Sequence, residues 1–114
     1  MDFSKFYKIP IVDSHVHVWS IENADELPKL MNKVGYRYVN IVCTISINQV
    51  NFNPEAIYLK VNYPDLFYAF GGLDYTYKLK EIKEYGLSLV EQVERLMNIG
   101  FDGIKMVAPS FLFK

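Results

Sequence analysis

The segment IVDSHVHV, residues 11–18, decides the fold, because it combines β-branched residues with a strict two-residue alternation. Such a pattern is typical of a strand. The alternation places Asp13, His15 and His17 on one face and the valines on the other face, which is apolar enough to pack on helices. Three further strands are predicted downstream, at about 38–45, at 66–73 and at about 103–107.

Three helices are predicted between these strands. The first spans about 25–34, with Asp25 as its cap and Gly35 as its stop. The second has Asn53 as its predicted cap and a proline at its first position, and must end before the next proline. The third begins with a capping box, formed by a serine at position 88 and a glutamate at position 91, and ends at a glycine.

Alternating strands and helices favour an α/β fold of parallel (β/α) units, with the strands in sequential order and the helices on one side. Residues 1–114 are predicted to form a single domain. The polar stretch 74–86 is predicted as a long loop. Residues 111–114 read FLFK where a fourth helix should begin, so we expect a chain truncated after its fourth strand.

Composition narrows the class of protein. The 114 residues are 51% hydrophobic and carry a net charge of −1, which predicts a packed core and gives no basic surface for extended nucleic-acid contact. Cys43 is the single cysteine, so a reducing compartment is expected. Residues 1–10 lack a signal-peptide pattern, and no stretch of the sequence is apolar enough to cross a membrane. A soluble cytoplasmic protein is the expectation.

The two histidines at positions 15 and 17 are the only ones in the chain. Two imidazoles separated by one residue on a strand face can converge on one divalent metal, of which zinc is the common choice for hydrolysis. We therefore predict that His15 and His17 are metal ligands. The alternative is that one histidine is an ordinary buried side chain and the other an ordinary exposed one.

Lys105 and Trp19 are predicted to bind substrate. The apolar neighbours of Lys105 should face the helices, which turns the lysine to the same face as His15. There it can contact a substrate anion, act as an electrostatic helper or become carbamylated to bridge two metals; alternatively, it reaches solvent from the strand end. Trp19 follows the histidines and can wall a pocket or simply pack. Cys43 is expected in the core, and Asp74 is a weaker site candidate.

Three segments in order resemble the amidohydrolase superfamily, specifically the amidohydrolase-related branch that contains lactonases and decarboxylases. These are IVDSHVHVW at 11–19, YPDLFYAFGGLD at 63–74 and GFDGIKM at 100–106. The resemblance implies a TIM (β/α)₈ barrel with its site at the carboxyl ends of the strands. It also implies a metal on His15 and His17 that activates water, for hydrolysis of an ester, lactone or amide or for a related decarboxylation.

The chain departs from this family in two ways. Residues 107–109 read Val-Ala-Pro where relatives often carry a histidine, and 114 residues cover only strands one to four, the N-terminal half of the barrel. Such a fragment is expected to be inactive alone, and to associate with itself or with a missing C-terminal half. Two alternatives stay open: a deoxyribonuclease-like or phosphoesterase metal barrel, and a non-catalytic α/β assembly or binding module.

Overall fold

A computed structural model describes residues 8–44, 51–74 and 88–106. The elements in chain order are β1 (Ile11–Val16), a 3₁₀ turn (Ile21–Asn23), α1 (Glu26–Val34), β2 (Tyr36–Val42), α2 (Asn53–Asn62), β3 (Phe67–Gly72), α3 (Leu89–Asn98) and β4 (Gly103–Lys105). The four strands form one parallel sheet in the order β1-β2-β3-β4. The prediction of an α/β fold with a sequentially ordered parallel sheet is confirmed.

The core lies between one face of the sheet and the helices. Val39 and Ile41 of β2 pair with Phe67 and Ala69 of β3, and all four side chains are buried. Alternation along the strands puts these residues on one face, where they form a cluster with Met31 of α1, Ala56 and Leu59 of α2 and Leu96 of α3. The opposite face of the sheet, called here the inner face, carries the alternate residues.

The helical spacing of apolar residues predicts a buried face on each of two helices, and the structure confirms these faces only in part. The predicted residues are Leu27, Leu30, Met31 and Val34 on α1 and Leu89, Val90, Val93, Leu96 and Met97 on α3. Met31 and Leu96 are buried as expected, whereas Leu30 on α1 and Val90 on α3 are exposed. The periodic pattern identified both helices correctly because apolar residues recur at helical spacing. Among the described residues, however, the pattern predicted a wider buried face on each helix than the sheet covers.

The caps show two confirmations and two corrections. Ser88 and Glu91 form the predicted capping box, and Gly35 ends α1 with a left-handed φ of 82°. Asp25 precedes α1 without a side-chain capping bond, because its carboxylate instead accepts a hydrogen bond from the hydroxyl of Tyr63 at 2.9 Å. Asn53 is the first residue of α2 rather than its cap, because its side-chain amide is hydrogen-bonded to the backbone of Gly72 in β3.

Two of the observed strand ends differ from the predicted ones by two residues. β1 stops at Val16, two residues early, and β2 begins at Tyr36, two residues earlier than predicted. The predicted ends of the second and fourth strands, at Ile45 and Val107, lie outside the described residues, as do the predicted loop beyond Asp74 and the FLFK ending.

Candidate metal site

A bulge in β1 determines which side chains reach the inner face. Asp13 pairs with Val39 and Val16 pairs with Ile41, so three steps along β1 match two steps along β2. Because paired residues of neighbouring strands share a face, Asp13 and Val16 both lie on the helix side. The predicted alternation is wrong for Asp13, whose carboxylate accepts a hydrogen bond from the amide of His15 at 3.1 Å. His15 keeps the inner face.

The two histidines, called here the His pair, approach each other closely at the carboxyl end of β1. The Nε2 atoms of His15 and His17 are 3.2 Å apart, and the two rings meet edge to face at 83°. His17 lies one residue beyond the strand and is half-buried, whereas His15 is exposed. The expectation that the two imidazoles lie close enough to share one ion is confirmed as geometry.

The backbone fixes the orientation of His17. Its Nδ1 lies 2.6 Å from the carbonyl oxygen of Val42, the last residue of β2. A carbonyl oxygen only accepts hydrogen bonds, so Nδ1 carries the proton. In the neutral imidazole the lone pair is then on Nε2, the atom that faces His15. A carbonyl partner of this kind is what holds metal-binding histidines in the correct tautomer.

The separation of the two nitrogens fits a shared metal. At a Zn–N distance near 2.05 Å, two ligands of a tetrahedral ion are about 3.3 Å apart. The observed 3.2 Å matches this spacing, and in the metal-free chain the same distance is a hydrogen bond in which Nε2 of His15 donates to Nε2 of His17. Within the described part of the chain, however, no group of three or more His, Cys, Asp or Glu side chains is placed to hold a metal. The His pair alone would supply two of the four ligands that a zinc ion normally has in proteins.

An aromatic wall, consisting of Trp19 and Phe52, stands beside the His pair. The Trp19 ring lies 5.5 Å from that of His17 and 4.9 Å from that of Phe52, which it meets edge to face. Trp19 remains 57% exposed, so one side of the indole is free to contact a ligand. This arrangement agrees with the predicted place of Trp19 next to the metal site, and its role in substrate binding stays a prediction.

Comparisons of the chain with protein-family models, with curated proteins and with solved structures gave no match. The resemblance to the amidohydrolase superfamily therefore stays a prediction, carried by the three segments quoted above. Among the described residues, no helix is long and apolar enough to span a membrane.

Asn53 anchors the backbone next to Phe52, one of the two residues of the aromatic wall. Its side chain accepts a hydrogen bond from the amide of Gly72 at 2.7 Å and donates one to the carbonyl of the same residue at 3.0 Å. Asn51 adds a donor to that carbonyl at 3.4 Å. This arrangement, called here the Gly72 clamp, fixes the start of α2 to the end of β3. Phe52, which lies between the two asparagines, is positioned by it.

Lys105 lies on the inner face, as predicted. Its neighbour Ile104 pairs with Gly71, where a side chain would point at Leu96 on α3, so Ile104 faces the helices and Lys105 faces away. Lys105 ends β4, three strand spacings from β1, or roughly 14 Å along a flat sheet. It shares the face of His15 at a distance that only a bound molecule could bridge.

A cleft of about 610 Å³ opens on the other side of the His pair, between the end of β1 and α1. Val16, His17 and Trp19 form one wall of the cleft, and Leu27 and Leu30 form the opposite wall. Lys29 and Lys33 also line it. The cleft is mainly apolar, and its charged lining is mixed, because Glu26 also lines it and its carboxylate pairs with the ammonium of Lys29 at 2.6 Å.

Cys43 and Asp74 do not join the His pair. The Cys43 thiol is buried, as predicted, and burial raises its pKa to about 12 although a backbone hydrogen bond at Gly72 acts in the opposite direction. It is therefore neutral at physiological pH and a poor ligand. The backbone of Asp74 is bonded to the side chain of Gln92 at 2.8 and 2.9 Å, which ties the end of β3 to α3.

Sequence reasoning missed three participants near the site. The Val42 carbonyl orients His17, and Phe52 supports Trp19. Asn40 lies on the inner face, donates to the carbonyl of Ser14 at 3.2 Å, and has a buried Oδ1 with no partner within the described residues. Only Asn40 had a sequence signal, as a polar residue inside an otherwise apolar run. The other two contacts depend on tertiary structure.

Proposed function

We propose that this chain is the metal-binding half of a metal-dependent hydrolase of the amidohydrolase-related type, with His15 and His17 as two ligands of a divalent ion, most suitably zinc. The observation that carries the proposal is the 3.2 Å separation of the two Nε2 atoms, together with the Val42 carbonyl that holds His17 in the tautomer needed for ligation. The four parallel strands would form one side of a (β/α)₈ barrel.

The chemistry follows from the donor set. A zinc ion bound to neutral imidazoles supplies Lewis acidity and activates water for attack on an ester, lactone or amide carbonyl. His17 would bind the ion with its ring held in place by the backbone, and His15 would supply the second ligand from the exposed side. Trp19 would cover the apolar part of a small-molecule substrate, and Lys105 would attract an anionic group from across the inner face.

Further ligands and a general base must come from outside the described residues. Hydrolysis is therefore proposed for the complete assembly, and weak turnover is expected from the 114-residue chain alone. A cytoplasmic location is proposed because the single cysteine is suited to a reducing compartment.

Zinc titration by calorimetry tests the metal site directly, because the chain has no histidines besides the pair. The unmodified chain should bind zinc, and His15→Ala and His17→Ala should each weaken binding at least tenfold. Glu94→Ala serves as the control, since Glu94 is an exposed residue of α3. Equal zinc affinity in all four proteins would refute the proposal. Circular dichroism of each variant checks that the fold is retained.

Hydrolysis requires a separate measurement. An activated ester assayed with and without zinc should show slow turnover that depends on both histidines. Zinc binding without any turnover would leave a non-catalytic metal-binding module as the function.

A further inference from the structure

The geometry points to a zinc ion shared between two copies of this chain, each contributing its His pair; this inference rests on the proposed metal site. The incomplete coordination is the first observation. Two nitrogens 3.2 Å apart occupy two corners of a tetrahedron, and the described residues provide no third His, Cys, Asp or Glu ligand beside them. A tetrahedral ion held this way keeps two adjacent corners open, and a second His pair has the spacing to fill them. The shared ion then has no corner for water, so it is a structural site, distinct from the open site that hydrolysis needs.

The position of the His pair makes such an approach feasible. β1 is an edge strand that pairs only with β2 within the described sheet, so its outer side has no neighbouring strand there. His15 is exposed. A second copy can therefore bring its own His15 to the same ion without displacing any described element.

The surface around the His pair has the character of an interface between like chains. Five of the exposed large hydrophobic side chains of the described residues fall between positions 9 and 21, on or next to β1: Ile9, Ile11, Val12, Trp19 and Ile21. A two-fold axis through the shared ion would bring β1 of one copy close to β1 of the other, because a two-fold interface uses the same surface on both partners. Any of these side chains that the contact removes from water would add hydrophobic free energy to the metal bonds.

The balance of ligands gives the complex a distinctive dependence on zinc. Half an equivalent of zinc per chain fills every four-histidine site, whereas excess zinc supplies each His pair with its own ion and separates the copies. The dimer should therefore be maximal near half an equivalent and decline above it. Association driven by apolar contact alone would show no such maximum.

Light scattering coupled to size exclusion, run across a zinc titration, measures this. The 13.3 kDa chain should approach double that mass near half an equivalent, return toward monomer with excess zinc, and return fully with EDTA. His15→Ala and His17→Ala should each lose the zinc-induced doubling, while Glu94→Ala retains it. The titration of the unmodified chain is decisive even if a histidine variant fails to fold.

The other outcomes separate this inference from the proposed function. A monomer that binds one zinc per chain overturns the shared site and leaves the metal site standing. A dimer that ignores zinc, EDTA and both histidine replacements also overturns it. A chain that binds no zinc overturns the shared site and the metal site together.

Discussion

Replacing Asn53 by alanine tests whether the Gly72 clamp organises the region around the candidate site. The asparagine accepts from the Gly72 amide at 2.7 Å and donates to its carbonyl at 3.0 Å. Gly72 is buried, so the alanine variant leaves its N–H without an acceptor, at a cost of about 1–3 kcal/mol. Loss of the second bond adds about 1 kcal/mol, although Asn51 still reaches the carbonyl.

The free energy of unfolding should therefore fall by about 2–4 kcal/mol. For a urea m-value of about 1.5 kcal/mol/M, the denaturation midpoint drops by roughly 1.3–2.7 M. Because Trp19 is the only tryptophan and touches Phe52 beside the clamp, its emission spectrum in the folded chain should also change.

Asn62→Ala is the matched control for this experiment. Asn62 lies exposed near the end of α2 and donates to the carbonyl of Tyr58 at 2.8 Å, a bond that water can replace. Its loss should change the unfolding free energy by less than about 0.5 kcal/mol and leave the emission of Trp19 unchanged. If Asn53→Ala behaves like Asn62→Ala in urea, the clamp does not organise this region and the reasoning fails.

Three further predictions concern the rest of the fold. Ser88→Ala should lower stability by about 1 kcal/mol in urea, because it removes the helix cap of α3. The hydrogen bonds with Ser88 lower the pKa of the Glu91 carboxyl in the folded chain. The stability contributed by the ionised carboxylate is therefore fully present above the ordinary glutamate pKa near 4.3, and it is lost as pH falls through the lower pKa of the folded chain. The difference in unfolding free energy between the unmodified chain and Glu91→Gln should shrink over that pH range. The Cys43 thiol should react slowly with a disulfide reagent at pH 8 until urea unfolds the chain; rapid labelling of the folded chain would contradict its burial.

The sequence was sufficient to predict the sheet and the order of its strands. Alternating patterns of period two and 3.6 separate strands from helices, and the parallel order follows because each strand is followed by a helix. Local chemistry also predicted the capping box at Ser88 and the glycine stop at Gly35, since both depend on residues within a few positions.

The site was predictable only as far as local spacing extends. The two-residue interval between His15 and His17 predicted their close approach. It failed for Asp13, because a bulge in β1 reverses the alternation and nothing in the residue types marks where a bulge occurs. The bond from His17 to the Val42 carbonyl joins residues 25 positions apart, and only the folded sheet brings them together.

Direct observation of the imidazole nitrogens by ¹H–¹⁵N NMR tests the central claim most directly, since the chain holds only two histidines. Without metal, His17 should show a protonated Nδ1 and an unprotonated Nε2 at neutral pH, as its bond to the Val42 carbonyl requires. Zinc should then shift the Nε2 signals of both rings and leave the Nδ1 of His17 protonated. A His17 ring protonated on Nε2 instead, or Nε2 signals that do not respond to zinc, would contradict the assignment of the His pair as a metal site.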